Sequence, residues 1–252
     1  MKALVTGASS GIGYNMSKYL SKIGYDLIVV ARRKDCLENL KKECSTNVEI
    51  IVLDLSIKDN VYTLYSMVKN KKIDLLVNNA GFGIFGMFEY TELTKEISMI
   101  NLNITALHIL TKLFLKDMKK RNTGHILNIS SMASFTAGPL MGTYYASKSY
   151  VTRLTQAISY ELKKEKSNVK VSVLCPGPVD TQFNDGLGIN FKMPPLSSEY
   201  VAKYAIDKCL KGKVIIVPGF CNKVVRIFNK IMPDFIVMKI NYIIQLSKKK
   251  SA

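Results

Sequence analysis

Short runs of apolar and β-branched residues alternate along this chain with longer stretches whose apolar positions recur every three or four residues. Near-continuous apolar runs such as Leu27-Ile28-Val29-Val30 and Val171-Ser172-Val173-Leu174 suit strands covered on both faces. The pattern predicts strands around residues 2–6, 26–31, 48–53, 73–78, 124–130, 169–175 and 213–217. Between them it predicts helices around 11–23, 34–43, 57–69, 94–120, 142–166 and 198–211. Strand–helix alternation sustained in this way implies an α/β, doubly wound parallel sheet. Right-handed crossovers then put every strand's C-terminal end on one edge, and ligands bind there, near the switch in strand order.

Two segments depart from the alternation. Residues 177–198 contain Gly177, Pro178, Gly186, Gly188, Pro194 and Pro195 and read as a long loop of the kind that covers substrates. The tail at 221–250 is apolar but interrupted by Arg226, Lys230, Pro233, Asp234, Lys239 and Asn241. It falls short of the roughly 20 apolar residues a membrane span needs. Two amphipathic helices split at Pro233 fit it better. Such a tail can cover the substrate pocket, pack in an oligomer interface or lie on a membrane surface as a peripheral contact, the last ranking lowest. No repeat or linker divides residues 1–252, so a single domain is expected.

Composition narrows the function classes. The five cysteines, Cys36, Cys44, Cys175, Cys209 and Cys221, are odd in number and scattered, which suits free thiols and a cytoplasmic location rather than disulfides or zinc. His108 and His125 are far apart and belong to no ligand cluster, so no metal is expected. The start of the chain, Met1-Lys2-Ala3-Leu4-Val5-Thr6, reads as a first strand rather than a targeting peptide. The formal charge of +17 comes from lysines dispersed over helical stretches. With no interleaved aromatics it suggests solvated faces rather than a nucleic-acid surface, and it would attract a polyanionic cofactor.

Three motifs carry chemistry. Thr6-Gly7-Ala8-Ser9-Ser10-Gly11-Ile12-Gly13 joins the first strand to the first helix. Glycines permit close approach to a phosphate, and the helix start offers free N–H groups and a positive dipole end to a pyrophosphate. The second strand then ends Val30-Ala31-Arg32-Arg33, where an acid would be expected to hold an adenosine 2′-hydroxyl. A guanidinium there suits a 2′-phosphate. NADP(H) is therefore predicted over NAD(H), with Arg32 the principal contact and Arg33 the second. Finally, Tyr144 and Lys148 stand at i and i+4 and share one helical face. A phenol titrates near pH 10 and exchanges protons at neutral pH only with help, such as a nearby cation.

With the glycine turn, Asn78-Asn79-Ala80-Gly81, Ser131 and Tyr144-x-x-x-Lys148 in this order, residues 1–180 resemble the short-chain dehydrogenase/reductase family. In outline the chain is similar to its poorly assigned bacterial oxidoreductases. The resemblance implies a Rossmann-like sheet of about seven strands with a C-terminal helical extension here. It implies Asn101, Ser131, Tyr144 and Lys148 as catalytic residues. It implies a cofactor site of Gly7, Ser9, Ser10, Gly11, Ile12, Gly13, Arg32, Arg33, Asp54, Leu55, Asn79, Ala80, Gly81, Tyr144, Lys148, Pro176, Gly177, Val179 and Thr181. In these roles Ser131 holds a substrate carbonyl, Tyr144 transfers the proton, Lys148 lowers the phenol pKa and binds the nicotinamide ribose, and Asn101 holds a relay water. Tyr145 and Ser130 are each one residue out of register.

The expected activity is NADPH-dependent reduction of a ketone or aldehyde with apolar bulk, or the reverse oxidation. Phe85, Met87, Met132, Phe135, Met141 and Phe183 are candidates to contact the substrate. A cofactor-binding regulatory protein without turnover is the alternative, and the intact proton-transfer set counts against it. A homodimer or homotetramer through the helices at 94–120 and 142–166 is implied by the resemblance. The tail replaces the short glycine-rich ending of β-ketoacyl reductases, which puts carrier-protein substrates in doubt.

Overall fold

The fold was analysed in a computed structural model that describes residues 1–185 and 195–247, residues 184 and 185 by backbone alone. The chain starts with β1 (Lys2–Thr6), α1 (Gly11–Lys22), β2 (Asp26–Ala31), α2 (Lys34–Glu43), β3 (Val48–Val52), α3 (Lys58–Val68) and β4 (Leu75–Asn78). It continues through α4 (Leu93–Ile100), a π-helical turn (Asn101–Ala106), α5 (Leu107–Arg121), β5 (His125–Ile129), α6 (Gly142–Lys164) and β6 (Lys170–Leu174). Then follow β7 (Val179–Asp180), α7 (Gln182–Asp185), β8 (Leu196–Ser197), α8 (Ser198–Leu210), β9 (Ile215–Ile216), α9 (Phe220–Ile231) and α10 (Asp234–Leu246).

Seven strands form one parallel sheet in the order β3-β2-β1-β4-β5-β6-β9, the Rossmann-like α/β arrangement expected. The central strands β1, β2, β4 and β5 are buried on both faces, because side chains pointing either way meet helices. Ala3 and Val5 of β1 pack with Met16 and Leu20 of α1 and with Val201 and Ala205 of α8. Leu4 points the other way, into a layer with Leu64 of α3, Leu110 and Phe114 of α5 and Leu162 of α6. Each predicted strand and helix has its counterpart, and Pro233 divides the tail into α9 and α10.

Two details differ from the expected pattern. The loop at 177–198 is built in part, with β7 and β8 pairing as Val179↔Leu196 and Asp180↔Ser197. Gly186, Gly188 and Pro194 lie outside the described residues, as do Lys248 to Lys250 of the tail. The helix expected at 94–120 is widened by the π-helical turn at Asn101–Ala106, with consequences for the site. By length and composition the stretch Leu93–Arg121 would also pass for a membrane span. Here it packs Leu107, Leu110, Phe114 and Met118 into the core.

The strand order reverses between β1 and β4, so the turns after these two strands diverge and leave a crevice. A buried polar network steadies this region. Asn128 Oδ1 accepts from Asn78 Nδ2 at 2.9 Å and from Thr111 Oγ1 at 3.3 Å, and Asn128 Nδ2 donates to Thr155 Oγ1 at 3.0 Å. Central strands β4 and β5 are thereby tied to α5 and α6, and with them the segments that end in the site.

Candidate active site

A cleft of about 430 Å³ runs along the C-terminal edge of the sheet at this switch point, within the size range of small-molecule sites. One end is built by the glycine turn. Gly7 has φ +65°, a conformation that favours glycine, and its amide donates to Val30 O at 2.8 Å. Thr6 Oγ1 accepts from the amides of Asn79 and Ala80 at 3.0 and 3.1 Å, and Asn79 Nδ2 donates to Thr6 O and Gly7 O at 3.1 and 3.0 Å. The two diverging turns are thus locked together. Gly13 is part of this lock and does not line the cleft, because a Cβ there would collide with Asn79 and with Gly7 O.

Gly7, Ser9, Ser10, Gly11 and Ile12 do line the cleft, as do Asn79, Ala80 and Gly81. α1 starts at Gly11 with no side-chain cap from Ser10, so its first N–H groups are available to an anion. Arg33 is drawn over the glycine turn, with Nη2 3.2 Å from Ser9 Oγ and Nη1 3.1 Å from Gln182 Oε1. Arg32 turns toward Asp54, with Nη1 3.6 Å from Oδ2. Partial burial works to raise the Asp54 pKa, but hydrogen bonds from Ser56 and the Arg32 charge outweigh it and hold the carboxyl below its ordinary value. Asp54, Leu55 and the unforeseen Leu53 form the adjoining wall. Free helix N–H groups, two guanidiniums and an apolar shelf fit the phosphates and the adenine of a nicotinamide dinucleotide.

The other end gathers Ser131, Tyr144 and Lys148. Ser131 follows β5 and caps the 3-10 turn Met132–Phe135, its Oγ accepting from the Ala133 amide at 3.1 Å. Both Ser131 and Tyr144 line the cleft, and the Ser131 hydroxyl acts to lower the Tyr144 pKa. Lys148, one turn along α6, has Nζ 5.7 Å from the Tyr144 ring centroid and donates to Ile129 O at 3.0 Å. Ser130 and Tyr145, the neighbours one residue out of register, are engaged elsewhere. Ser130 Oγ donates to Lys148 O at 2.8 Å, and the Tyr145 hydroxyl accepts from Gln245 Nε2 at 2.9 Å. Pro176, Gly177, Val179 and Thr181 close the cleft from the β6 side.

Burial dominates the proton balance here. Loss of solvent pushes the Tyr144 pKa up to about 12, against a lowering hydrogen bond from Ser131. The same loss brings Lys148 down to about 8, with nearby Cys175 working weakly in the other direction. At neutral pH the phenol therefore keeps its proton and the lysine stays charged. The expected lowering of the phenol by Lys148 is not what governs this state, because the ammonium faces the Ile129 carbonyl.

The structure does not bring Asn101 to this group; it brings Asn103. Asn103 is buried, with Nδ2 donating to Phe82 O at 2.9 Å and to Ser147 Oγ at 3.1 Å, and Oδ1 accepting from the Phe82 amide at 3.1 Å. Asn103 Oδ1 and Lys148 Nζ both crowd the Gly81 α-carbon, at 2.8 and 3.4 Å from where a Cβ would sit. Asn101 ends α4 and does not line the cleft. A signal existed in the sequence: Met99, Asn103, Ala106 and Leu110 recur at helical spacing as one buried face, and Asn101 lies off it. A π-helical turn carries an extra residue, and such turns recur at functional sites.

Among the apolar candidates, Met132, Met141 and Phe183 line the cleft, and Phe85 packs with Met141 and Tyr144. Met87 is exposed, and Phe135 lies beneath Arg226 at 5.0 Å from its ring centroid. Sequence reasoning missed Gln245 of α10, which lines the cleft with its Oε1 buried and without a hydrogen-bond partner among the described residues.

Comparison with known proteins agrees with this geometry. Residues 1–190 match the family described as short chain dehydrogenase. Human dehydrogenase/reductase SDR family member 11 is 33% identical over 221 residues, which cover 83% of this chain and 83% of that protein. An uncharacterised oxidoreductase of Staphylococcus epidermidis is 32% identical over 187 residues, covering 73% of this chain and 80% of that one. Among solved structures, a short-chain dehydrogenase from Sphingobium yanoikuyae in complex with NADPH superposes with a TM-score of 0.80 at 25% identity, covering 92% of this chain and 96% of that one. A 7β-hydroxysteroid dehydrogenase structure shares the fold with a TM-score of 0.85 at 20% identity, covering 95% and 96%.

The Lys148 environment predicts a pH dependence of stability in the free protein. Its pKa falls from 10.5 to about 8 on folding, so between these values the unfolded chain holds a proton that the folded one lacks, and rising pH favours the folded state. Relative to Lys148→Met, denaturant unfolding of the unmodified protein should gain about 3 kcal/mol from about pH 7 to about pH 10.5. A difference that stays flat, or shrinks with pH, would contradict the buried ammonium.

Proposed function

Because this chain belongs to the short-chain dehydrogenase family, and is therefore an oxidoreductase, we propose that it reduces a ketone or aldehyde with apolar bulk at the expense of NADPH. The observation that carries the proposal is the gathering of Ser131, Tyr144 and Lys148 at one end of the cleft, with Lys148 Nζ 5.7 Å from the Tyr144 ring centroid. Once bound, the nicotinamide supplies the hydride.

Ser131 and Tyr144 line the same end of the cleft, where a carbonyl oxygen would receive a hydrogen bond from each. Ser131 holds that oxygen, and Tyr144 gives up its proton as negative charge develops there. Lys148 lies close enough to stabilise the phenolate left behind, and it is charged below about pH 8. With the dinucleotide in place its ammonium would also donate to the ribose. Asn103 takes the place first given to Asn101. By bonding both backbone groups of Phe82 it fixes Gly81 beside Lys148, and so acts as a positioning residue.

Cofactor choice rests on the two arginines. Arg33 over Ser9 and Arg32 beside Asp54 bracket the position a 2′-phosphate would take, so both are assigned to it, with Arg33 the nearer to the glycine turn. The substrate would lie against Met132, Met141 and Phe183, and the unpaired Gln245 carbonyl would accept from a hydroxyl or N–H group on it. A small-molecule substrate of this kind fits the cleft.

Replacing both arginines (Arg32→Ala with Arg33→Ala) should weaken NADPH binding about a hundredfold, two charge-assisted hydrogen bonds' worth, and NADH binding by less than about threefold. Calorimetry reads both affinities, and equal weakening would contradict the phosphate assignment. Asn103→Ala should lower kcat about tenfold or more for a soluble ketone reduced with NADPH, while Asn101→Ala should stay within about twofold. The reverse order would return the role to Asn101.

A further inference from the structure

The two tail helices are inside out. On α9, Asn222, Arg226 and Asn229 are half-buried and face the body, where Asn222 Nδ2 donates to Pro218 O at 2.8 Å and Arg226 lies over Phe135. Phe220, Val224, Ile227, Phe228 and Ile231 are exposed on the opposite side. On α10 the inward side carries Val237, Asn241 and Gln245, with Asn241 Nδ2 donating to Ala137 O at 2.8 Å and Gln245 to Tyr145. Its outward side carries Phe235, Tyr242, Ile243 and Leu246, with Lys239 among them.

Both outward faces follow the same i, i+4, i+7, i+8, i+11 stripe, apolar throughout on α9 and with Lys239 at the i+4 position on α10. A soluble helix turns that stripe inward, since each large side chain left in water forgoes roughly 1.5–3 kcal/mol of transfer energy. Here hydrogen bonds and a cation–π contact hold the polar side against the protein, so the apolar side is presented by construction. Patches of this kind mark interaction sites.

Charge selects the partner. Between Phe220 and Ser247 the sequence has Lys223, Arg226, Lys230 and Lys239 against a single acid, Asp234. Lys223, Lys230 and Lys239 form no ion pair among the described residues. At about 100° per residue, Lys223 and Lys230 lie along one edge of the α9 stripe, about a quarter-turn from its centre. Lysines at that position sit at headgroup level when the stripe is buried. Two copies of a chain with charge +17 would instead bring these cations face to face.

We propose that α9 and α10 dock this protein onto an anionic lipid surface. Gln245, on the inward side of α10, lines the cleft, so docking holds the cleft beside the lipid. Resting on the carbonyl-reductase reading above, this would give the enzyme access to apolar substrates dissolved in the bilayer.

The test is vesicle pelleting with the full chain, using phosphatidylglycerol–phosphatidylcholine vesicles and pure phosphatidylcholine vesicles. Binding is expected to the anionic vesicles, weakened by salt. Lys230→Gln with Lys239→Gln should reduce it on the order of tenfold, and Ile227→Asn, Phe228→Asn and Ile231→Asn together should abolish it. These side chains point away from the body, so thermal unfolding and NADPH affinity by calorimetry should remain unchanged. No binding to either vesicle, or equal binding by the triple variant, would overturn the proposal. So would a dimer in sedimentation that the triple variant dissolves without any vesicle binding, which would assign the face to a second copy. Loss of carbonyl reduction with vesicle binding intact would bear on the activity alone.

Discussion

The clamp between Thr6 and Asn79 is the contact on which the site depends. A parallel sheet whose order reverses between β1 and β4 drives the two following turns apart. The Thr6 hydroxyl receives the amides of Asn79 and Ala80, while the Asn79 side chain reaches back to the carbonyls of Thr6 and Gly7. Six polar groups at this partly buried crossing satisfy one another. The phosphate-binding turn is thereby fixed in place relative to Gly81, and Gly81 relative to Lys148. These bonds link the glycine turn to the end of the cleft that holds Tyr144 and Lys148.

The second governing effect is exclusion of water around α6. Tyr144 and Lys148 are both buried, and burial alone pushes them toward their neutral forms. A neutral phenol is a donor, which suits a site that protonates a developing alkoxide. A lysine brought down to about 8 remains charged at neutral pH at a cost in stability. Its partner in the structure is a backbone carbonyl, so its charge is free to respond when the phenol loses its proton.

The sheet was legible from the sequence because its strands are short apolar runs with helices on both sides, and every one has its counterpart. The grouping of Ser131, Tyr144 and Lys148 was legible because Tyr144 and Lys148 share a helical face and Ser131 follows a strand. Asn103 was legible only through its place on the apolar face of Met99, Ala106 and Leu110, since two asparagines stand two residues apart and the widening of the helix at Asn101–Ala106 cannot be counted from spacing. Arg32 and Arg33 were both visible, but their division of labour depends on Asp54 and Gln182, which come from distant parts of the chain. Gln245 was hidden for the same reason: only the packing of α10 on Tyr145 brings it to the cleft. The tail was recognisable as two amphipathic helices, whereas which face turns outward is a tertiary property.

The account joins a protonated phenol, a hydroxyl that shares its target and an apolar cleft into one activity, carbonyl reduction. Its most direct test is a pair of measurements on Tyr144→Phe, which removes one oxygen and leaves the ring packing intact. NADPH affinity by calorimetry should stay within about threefold, while NADPH consumption with a carbonyl substrate falls by about a hundredfold or more, the usual size of a lost acid. Turnover within about tenfold of the unmodified protein would contradict the central role of Tyr144.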